Sequence, residues 1–307
     1  MTSNYLSKSV ADLLLKHRQK CADKVEEICA IYGSKVAYRK TLVVERIERS
    51  DDPRLTEFYQ LYLSNFTLEH EQESLEGFAK VLDFNWDSKI QRDYGPFFEP
   101  IILLRDPANN ELVGAADFAL YAYPIQSSEY SGIDASCQLN FLVVRDTLRG
   151  VGIAFDLLNH VEMELLQFAN QHTGQSPHKV FTTIEMNNPR RMTAEQLDED
   201  ATAALMDPND RTIWWQKQGF YRLDLPYVQP ALAPGGEACR YLDFFIRSKF
   251  STEESPKEIP SFVIQEHVRR FFYVSVGKFE TPMDDNVEWK EIVEFLGRHP
   301  SVKIIRT

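Results

Sequence analysis

Arg149-Gly150-Val151-Gly152-Ile153-Ala154 lies between an apolar, strand-like run, Gln138 to Val144, and a long amphipathic segment. A glycine-rich turn that opens a helix presents unpaired backbone N–H groups at the positive end of the helix dipole, which suits a phosphate or another anion. Spacing separates three phosphate-binding readings. A P-loop needs two glycines five apart followed by Lys and Ser or Thr, whereas here the glycines are two apart and Ile153-Ala154 follows. A dinucleotide fingerprint needs a third glycine at position 155, where Phe155 stands. The turn Arg/Gln-x-x-Gly-x-Gly/Ala fits at all its defined positions, with Arg149, Gly152 and Ala154.

With this turn the chain resembles the GNAT-type N-acyltransferases, in which such a turn holds the pyrophosphate of acetyl-CoA. Leu142-Val143-Val144 stands where that family ends its fourth strand in L-x-V, and Trp214-Trp215-Gln216-Lys217-Gln218-Gly219-Phe220 is similar to its later F-Y-x-K-x-G-F segment. The resemblance spans residues 41–247. It implies an acetyl-CoA-dependent N-acetyltransferase that passes an acetyl or other acyl group to a primary amine by direct attack in a ternary complex. The acceptor would be an amine-bearing small molecule, peptide or protein. The backbone of Leu142, Val143 and Val144 would meet the pantetheine arm as an added strand would, while Arg149, Gly150, Val151, Gly152, Ile153 and Ala154 would hold the pyrophosphate. Asn188 would touch the cofactor by the same analogy.

The resemblance also implies a base at Glu185, because some members carry a glutamate at the corresponding place. Its neighbours Phe181, Ile184 and Met186 are apolar, and burial among them would raise its pKa toward the range a general base needs. An edge carboxylate in a salt bridge or facing solvent is the competing reading, and Asp117 is the next candidate base. Trp215 replaces the family's tyrosine acid, and an indole donates a hydrogen bond but transfers no proton at useful pH. Tyr221 and Tyr227 are candidate substitutes. That departure motivates the alternative function, a non-catalytic acyl-CoA-binding sensor or assembly module on the same fold.

The chain has 307 residues, 43% of them hydrophobic, enough to bury a substantial core. A net charge of −12 argues against nucleic acid as a partner, since phosphate contacts need clustered Lys and Arg. Cys21, Cys29, Cys137 and Cys239 form no C-x-x-C pair, and His160 has no partner at metal-ligand spacing, so no metal is expected. The N-terminus lacks a basic-then-apolar signal pattern, and no apolar run reaches the ~18 residues of a membrane span. A cytoplasmic protein without membrane contact is expected, and homodimerisation stays open.

The fold class expected is α/β (α+β): a GNAT-like mixed, mostly antiparallel twisted sheet with a central parallel β-α-β pair flanked by helices. Residues 1–40 read as an N-terminal helical extension, 41–250 as the acyltransferase domain, and 251–307 as a C-terminal helical extension packed on it. Periodicity predicts strands at 41–47, 100–104, 112–123, 137–144, 179–186, 220–228 and 239–246. Helices are predicted at 53–66, 72–82, 150–170, 210–218, 261–276 and 287–296, and one or two more over 4–32. A turn is read at 230–236 and a helix break at Gly174 and Pro177. The acidic stretch 189–209 departs from the family pattern and reads either as a substrate-covering loop or as a solvated excursion. With 66–72 and 122–135 it is a candidate wall of the acceptor pocket.

Overall fold

A computed structural model describes residues 5–68, 71–123, 133–173, 179–231, 238–249, 256–277 and 285–306. The first elements are α1 (Lys8–Tyr32), α2 (Lys35–Arg39), β1 (Val43–Ile47), α3 (Arg54–Asn65), α4 (Leu75–Phe84), α5 (Ser88–Tyr94), β2 (Phe97–Phe98) and β3 (Ile101–Asp106). The centre follows with β4 (Glu111–Ala122), β5 (Ala135–Val144), α6 (Ile153–Thr173) and β6 (Val180–Asn187). The remainder is α7 (Ala194–Ala204), α8 (Pro208–Lys217), β7 (Tyr221–Leu223), β8 (Leu242–Lys249), β9 (Glu258–Pro260), α9 (Ser261–Phe271), α10 (Val287–Arg298) and β10 (Ser301–Ile305).

One ten-stranded sheet runs in the order β1-β3-β4-β5-β6-β8-β7-β10-β9, with β2 paired to β4. Among the described pairings β5–β6 alone is parallel, and α6 makes the crossover between them. This is the expected mixed, mostly antiparallel sheet around a central parallel pair. On one face α6 buries Leu157, Val161 and Leu165 against β4, β5 and β6, and Gly114 of β4 keeps the approach close: a Cβ there would lie 2.9 Å from Ile153 Cγ2. On the other face α3 and α4 cover Leu103, Ala115 and Val143, while α9 and α10 cover Phe181, Phe244 and Ile246.

The parallel pairing has an end. Ala135↔Val180 through Gln138↔Thr183 are paired, and beyond them β5 and β6 part. A β-bulge explains the parting, since β4 pairs Asp117 with Phe141 and Phe118 with Leu139, leaving Asn140 as an extra residue in β5. Such a residue bends its strand and breaks the local ladder.

The structure departs from the sequence reading in several elements. The C-terminal segment is more than helical, because β9 and β10 extend the main sheet through β10–β7. The expected strand 220–228 shrinks to β7, after which Asp224 N–H donates to Lys303 O at 2.9 Å and, among the described residues, the bridge Gln229↔Cys239 continues the pattern. Helix 261–276 ends in a π-helical turn, Phe272–Val276. The acidic stretch 189–209 is not an irregular loop but holds α7, whose Thr193 and Gln196 close a capping box, and the start of α8; Gln196, Asp200 and Ala203 of α7 line the cavity described below. It docks on α1 through Ala201 against Val10 and Leu14. Most of the 122–135 connection, the Gly174–Pro177 break, much of the 230–236 turn and positions 69–70 lie outside the described residues.

Candidate functional site

Where β5 and β6 part, a cavity of about 1060 Å³ passes through the sheet. Strand alternation divides its lining. Leu142, Val144, Ile184 and Met186 face the side of α6, where Gly150, Gly152, Ile153, Ala154 and Trp215 also line it. Asn140 and Glu185 stand two residues beyond the last paired couple, Gln138 and Thr183, on the opposite face, with Glu99, Asp117 and Phe78. A molecule entering from the α6 side and one entering from the α4 side would meet in the gap between the strands.

At the α6 end the turn has the backbone the sequence calls for. Gly150 and Gly152 have φ of +85° and +104°, which favour glycine. The first N–H groups of α6 have no carbonyl one turn back within the helix. Val143 and Val151 bury their side chains, so only their backbone can serve a ligand. Arg149 turns its guanidinium away from the helix start, donating to Ala204 O at the end of α7 and to Asn65 Oδ1 at 3.2 Å. Burial lowers its pKa, against the pull of Asp146. The N-terminal segment reaches the turn as well: Lys35 Nζ donates to Gly150 O at 3.1 Å and Arg39 Nη1 to Val151 O at 3.1 Å. Arg39 lies so close that a Cβ on Gly152 would stand 2.0 Å from its Nη1.

Glu185 is half-buried on the other face and held at both oxygens. Tyr227 Oη donates to Oε1, and Gln229 Nε2 donates to Oε2 at 2.9 Å. Burial pushes its pKa up to about 7, outweighing the two hydrogen bonds that favour the charged form. A carboxyl there is divided between acid and base near neutral pH. Asp117 is almost fully buried and accepts from Asn140 Nδ2 at 3.2 Å.

The remaining candidates fall in different places. Tyr227 is buried on Glu185, and burial followed by that neighbour holds its phenol pKa well above the ordinary value. Tyr221 sits away from the cavity under Arg306, 5.4 Å from its ring centroid. Asn188 is held by Asp243, its Nδ2 donating to Oδ2 at 2.7 Å, and does not line the cavity. Trp215 does line it, packed edge-on against Phe220 at 5.1 Å between centroids. Sequence reasoning missed Asn140, Glu99, Gln229, Lys35 and Arg39. Of these only Gln229, two residues from Tyr227 in a β-type alternation, carried a local signal. No group of His, Cys, Asp and Glu among the described residues could hold a metal ion, and no described helix is long and apolar enough to cross a membrane.

No family model matches the sequence, and no curated protein matches it. Among solved structures, the chain is similar to Arabidopsis thaliana Naa50 in complex with the bisubstrate analogue CoA-Ac-MVNAL, at 14% identity over 68% of this chain and 99% of that one, with a TM-score of 0.40. It is similar to a chain of the NatC complex bound to Gag peptide and CoA, at 11% identity, 68% and 99% coverage and a TM-score of 0.39. It is similar too to an aminoglycoside 6′-N-acetyltransferase complexed with coenzyme A, at 13% identity, 69% and 99% coverage and a TM-score of 0.39.

Proposed function

We propose that this protein is an acetyl-CoA-dependent N-acyltransferase that acylates a primary amine in a ternary complex, with residues 41–250 as the acyltransferase unit. The observation that carries the reading is the opening between β5 and β6, which joins the glycine turn on one face of the sheet to Glu185 on the other. The backbone at Gly150, Gly152, Ile153 and Ala154 binds the donor's pyrophosphate, and the unpaired edge of β5 from Leu142 to Val144 takes the pantetheine arm as a strand. Asn188 is left out of the donor contacts because its amide is engaged by Asp243.

Glu185 takes a proton from the acceptor ammonium, and the free amine attacks the thioester carbonyl. The N–C bond forms, the carbonyl oxygen becomes negative and the nitrogen positive; the nitrogen gives a proton to solvent water, and collapse of the tetrahedral intermediate breaks the C–S bond. Backbone N–H groups past the bulge of β5 would stabilise that oxygen. The leaving group departs as a thiolate and takes its proton from water; with an ordinary thiol pKa of about 8.5, it needs no protein acid at neutral pH. Trp215 is therefore compatible with turnover, its indole forming part of the donor wall.

Calorimetric titration with acetyl-CoA, with adenosine diphosphate as the control, tests the donor site. Saturable binding specific to the CoA compound, lost in Gly152→Val, is expected, and no binding by the unaltered protein would sink the reading. Binding without faster acetyl transfer to any amine would favour the sensor, which the tryptophan at 215 motivates.

A further inference from the structure

The glycine turn is gripped from behind by residues that precede the acyltransferase unit. Side chains of α1 and α2 take three carbonyl groups in and just before it. Cys21 Sγ donates to Asp146 O at 3.2 Å, Lys35 Nζ to Gly150 O at 3.1 Å and Arg39 Nη1 to Val151 O at 3.1 Å. Neither Lys35 nor Arg39 lines the cavity. The amide side is the reverse. Gly152, Ile153 and Ala154 line the cavity, and their N–H groups have no hydrogen-bond acceptor among the described residues.

Arg39 connects the two sides. A trans peptide is planar and holds its C=O and N–H in opposite directions. The guanidinium that pins Val151 O therefore aims the N–H of the same peptide, that of Gly152, away from α2. Without the pin this plane could turn over at little cost, since a glycine tolerates either sign of φ. A carbonyl would then point where an anion is to bind. Arg39 also has a second partner, its Nε lying 2.9 Å from Asp156 Oδ2. Asp156 stands in the first turn of α6, where its charge would repel an incoming anion, and the guanidinium offsets it.

We infer that Arg39 is a positioning residue for the donor's pyrophosphate: it fixes the Val151–Gly152 peptide with its N–H toward the cavity and offsets Asp156, without touching the ligand. The segment before residue 41 is then part of donor binding rather than an appendage to the fold. This rests on the acyltransferase reading and names a determinant of its donor site that lies outside the acyltransferase unit.

The test is calorimetry with acetyl-CoA, joined to phosphorus NMR of CoA bound at saturating concentration. Arg39→Met should weaken acetyl-CoA by about tenfold, the scale of one hydrogen bond from a charged group. In the same variant the diphosphate resonances of bound CoA should lie nearer their free positions than in the unaltered protein, a change that a loss of fold stability alone would not produce. If Arg39→Met fails to fold, as judged by circular dichroism, Arg39→Lys decides by the same two readings, because one ammonium cannot reproduce the fork that spans Val151 O and Asp156. Unaltered affinity in a folded variant, weaker binding with the bound diphosphate resonances unmoved, or diphosphate resonances that do not shift on binding to the unaltered protein would overturn the inference and leave the donor site standing. Failure of the unaltered protein to bind acetyl-CoA would instead overturn the reading on which it rests.

Discussion

A wholly buried imidazole and a half-buried carboxyl meet on the same face of β6, two positions apart, and they are opposites. His267 of α9 lies against Thr183, below the point where β5 and β6 part: its Nε2 is 2.6 Å from Thr183 Oγ1, and its Nδ1 is 2.8 Å from Ser136 Oγ. It is wholly buried and its pKa falls to about 3, by desolvation first and by Arg270 second. Glu185, two residues above Thr183, opens onto the cavity and titrates at about 7. Burial shifts both groups away from charge. Only the one that faces a space where a substrate can stand is poised to exchange a proton. A perturbed pKa is thus evidence of function only with access beside it.

The contrast can be broken most sharply at Glu185. Glu185→Gln should lower turnover at pH 7 by about 10²–10⁴-fold, the usual worth of a general base, with acetyl-CoA affinity unchanged by calorimetry. Retained turnover would reduce Glu185 to a structural residue like His267. Next in size, His267→Leu removes one buried partner from each of Ser136 and Thr183, which keep Tyr123 and Gln138, and should destabilise the fold by about 1–3 kcal/mol in urea unfolding. It should not move the pH profile of turnover.

The two groups also pull stability in opposite directions with pH. His267 has a folded pKa of about 3, below its ordinary 6.5, so its contribution is full above 6.5 and is lost as pH falls toward 3. Glu185 has a folded pKa of about 7, above its ordinary 4.5, so its contribution is full below 4.5 and is lost as pH rises through 7. Melting temperatures between pH 3 and 8 should therefore show a weaker acid-side decline in His267→Leu and a gain confined to the alkaline side in Glu185→Gln. The smallest effect is expected at Tyr227→Phe. Loss of a hydrogen bond to the ionised carboxylate raises its pKa further, so the acid limb of the rate profile should move up by about one pH unit. Turnover at pH 7 would fall roughly fivefold, and an unmoved limb would show that Tyr227 only packs.

Much of the α6 end of the cavity was legible in sequence because its parts are contiguous. A glycine turn, the strand before it and the helix after it follow one another between residues 138 and 170. Their proposed role depends on the backbone, whose conformation local sequence largely sets. The insertion at 189–209 was legible in part, since Thr193-x-x-Gln196 is a capping-box pattern, but its packing on α1 is not a local property. The opposite end of the cavity was hidden for the same reason inverted. Glu99, Asp117, Asn140, Glu185 and Ser275 come from five separate stretches of chain, and no spacing connects them.

The sequence by itself determined the alternating strands, the helix that crosses over between β5 and β6 and the turn that opens it, because these follow from periodicity, glycine placement and capping. It also put an acid with apolar neighbours at position 185. Only the tertiary structure decided that this acid faces a cavity and that His267 does not. It alone set the bulge at Asn140 against the opening of the sheet, brought Lys35 and Arg39 to the turn, and spliced β10 beside β7. The physical reason is that burial, desolvation and charge pairing depend on which distant segments pack together, and each is settled only when the whole sheet has formed.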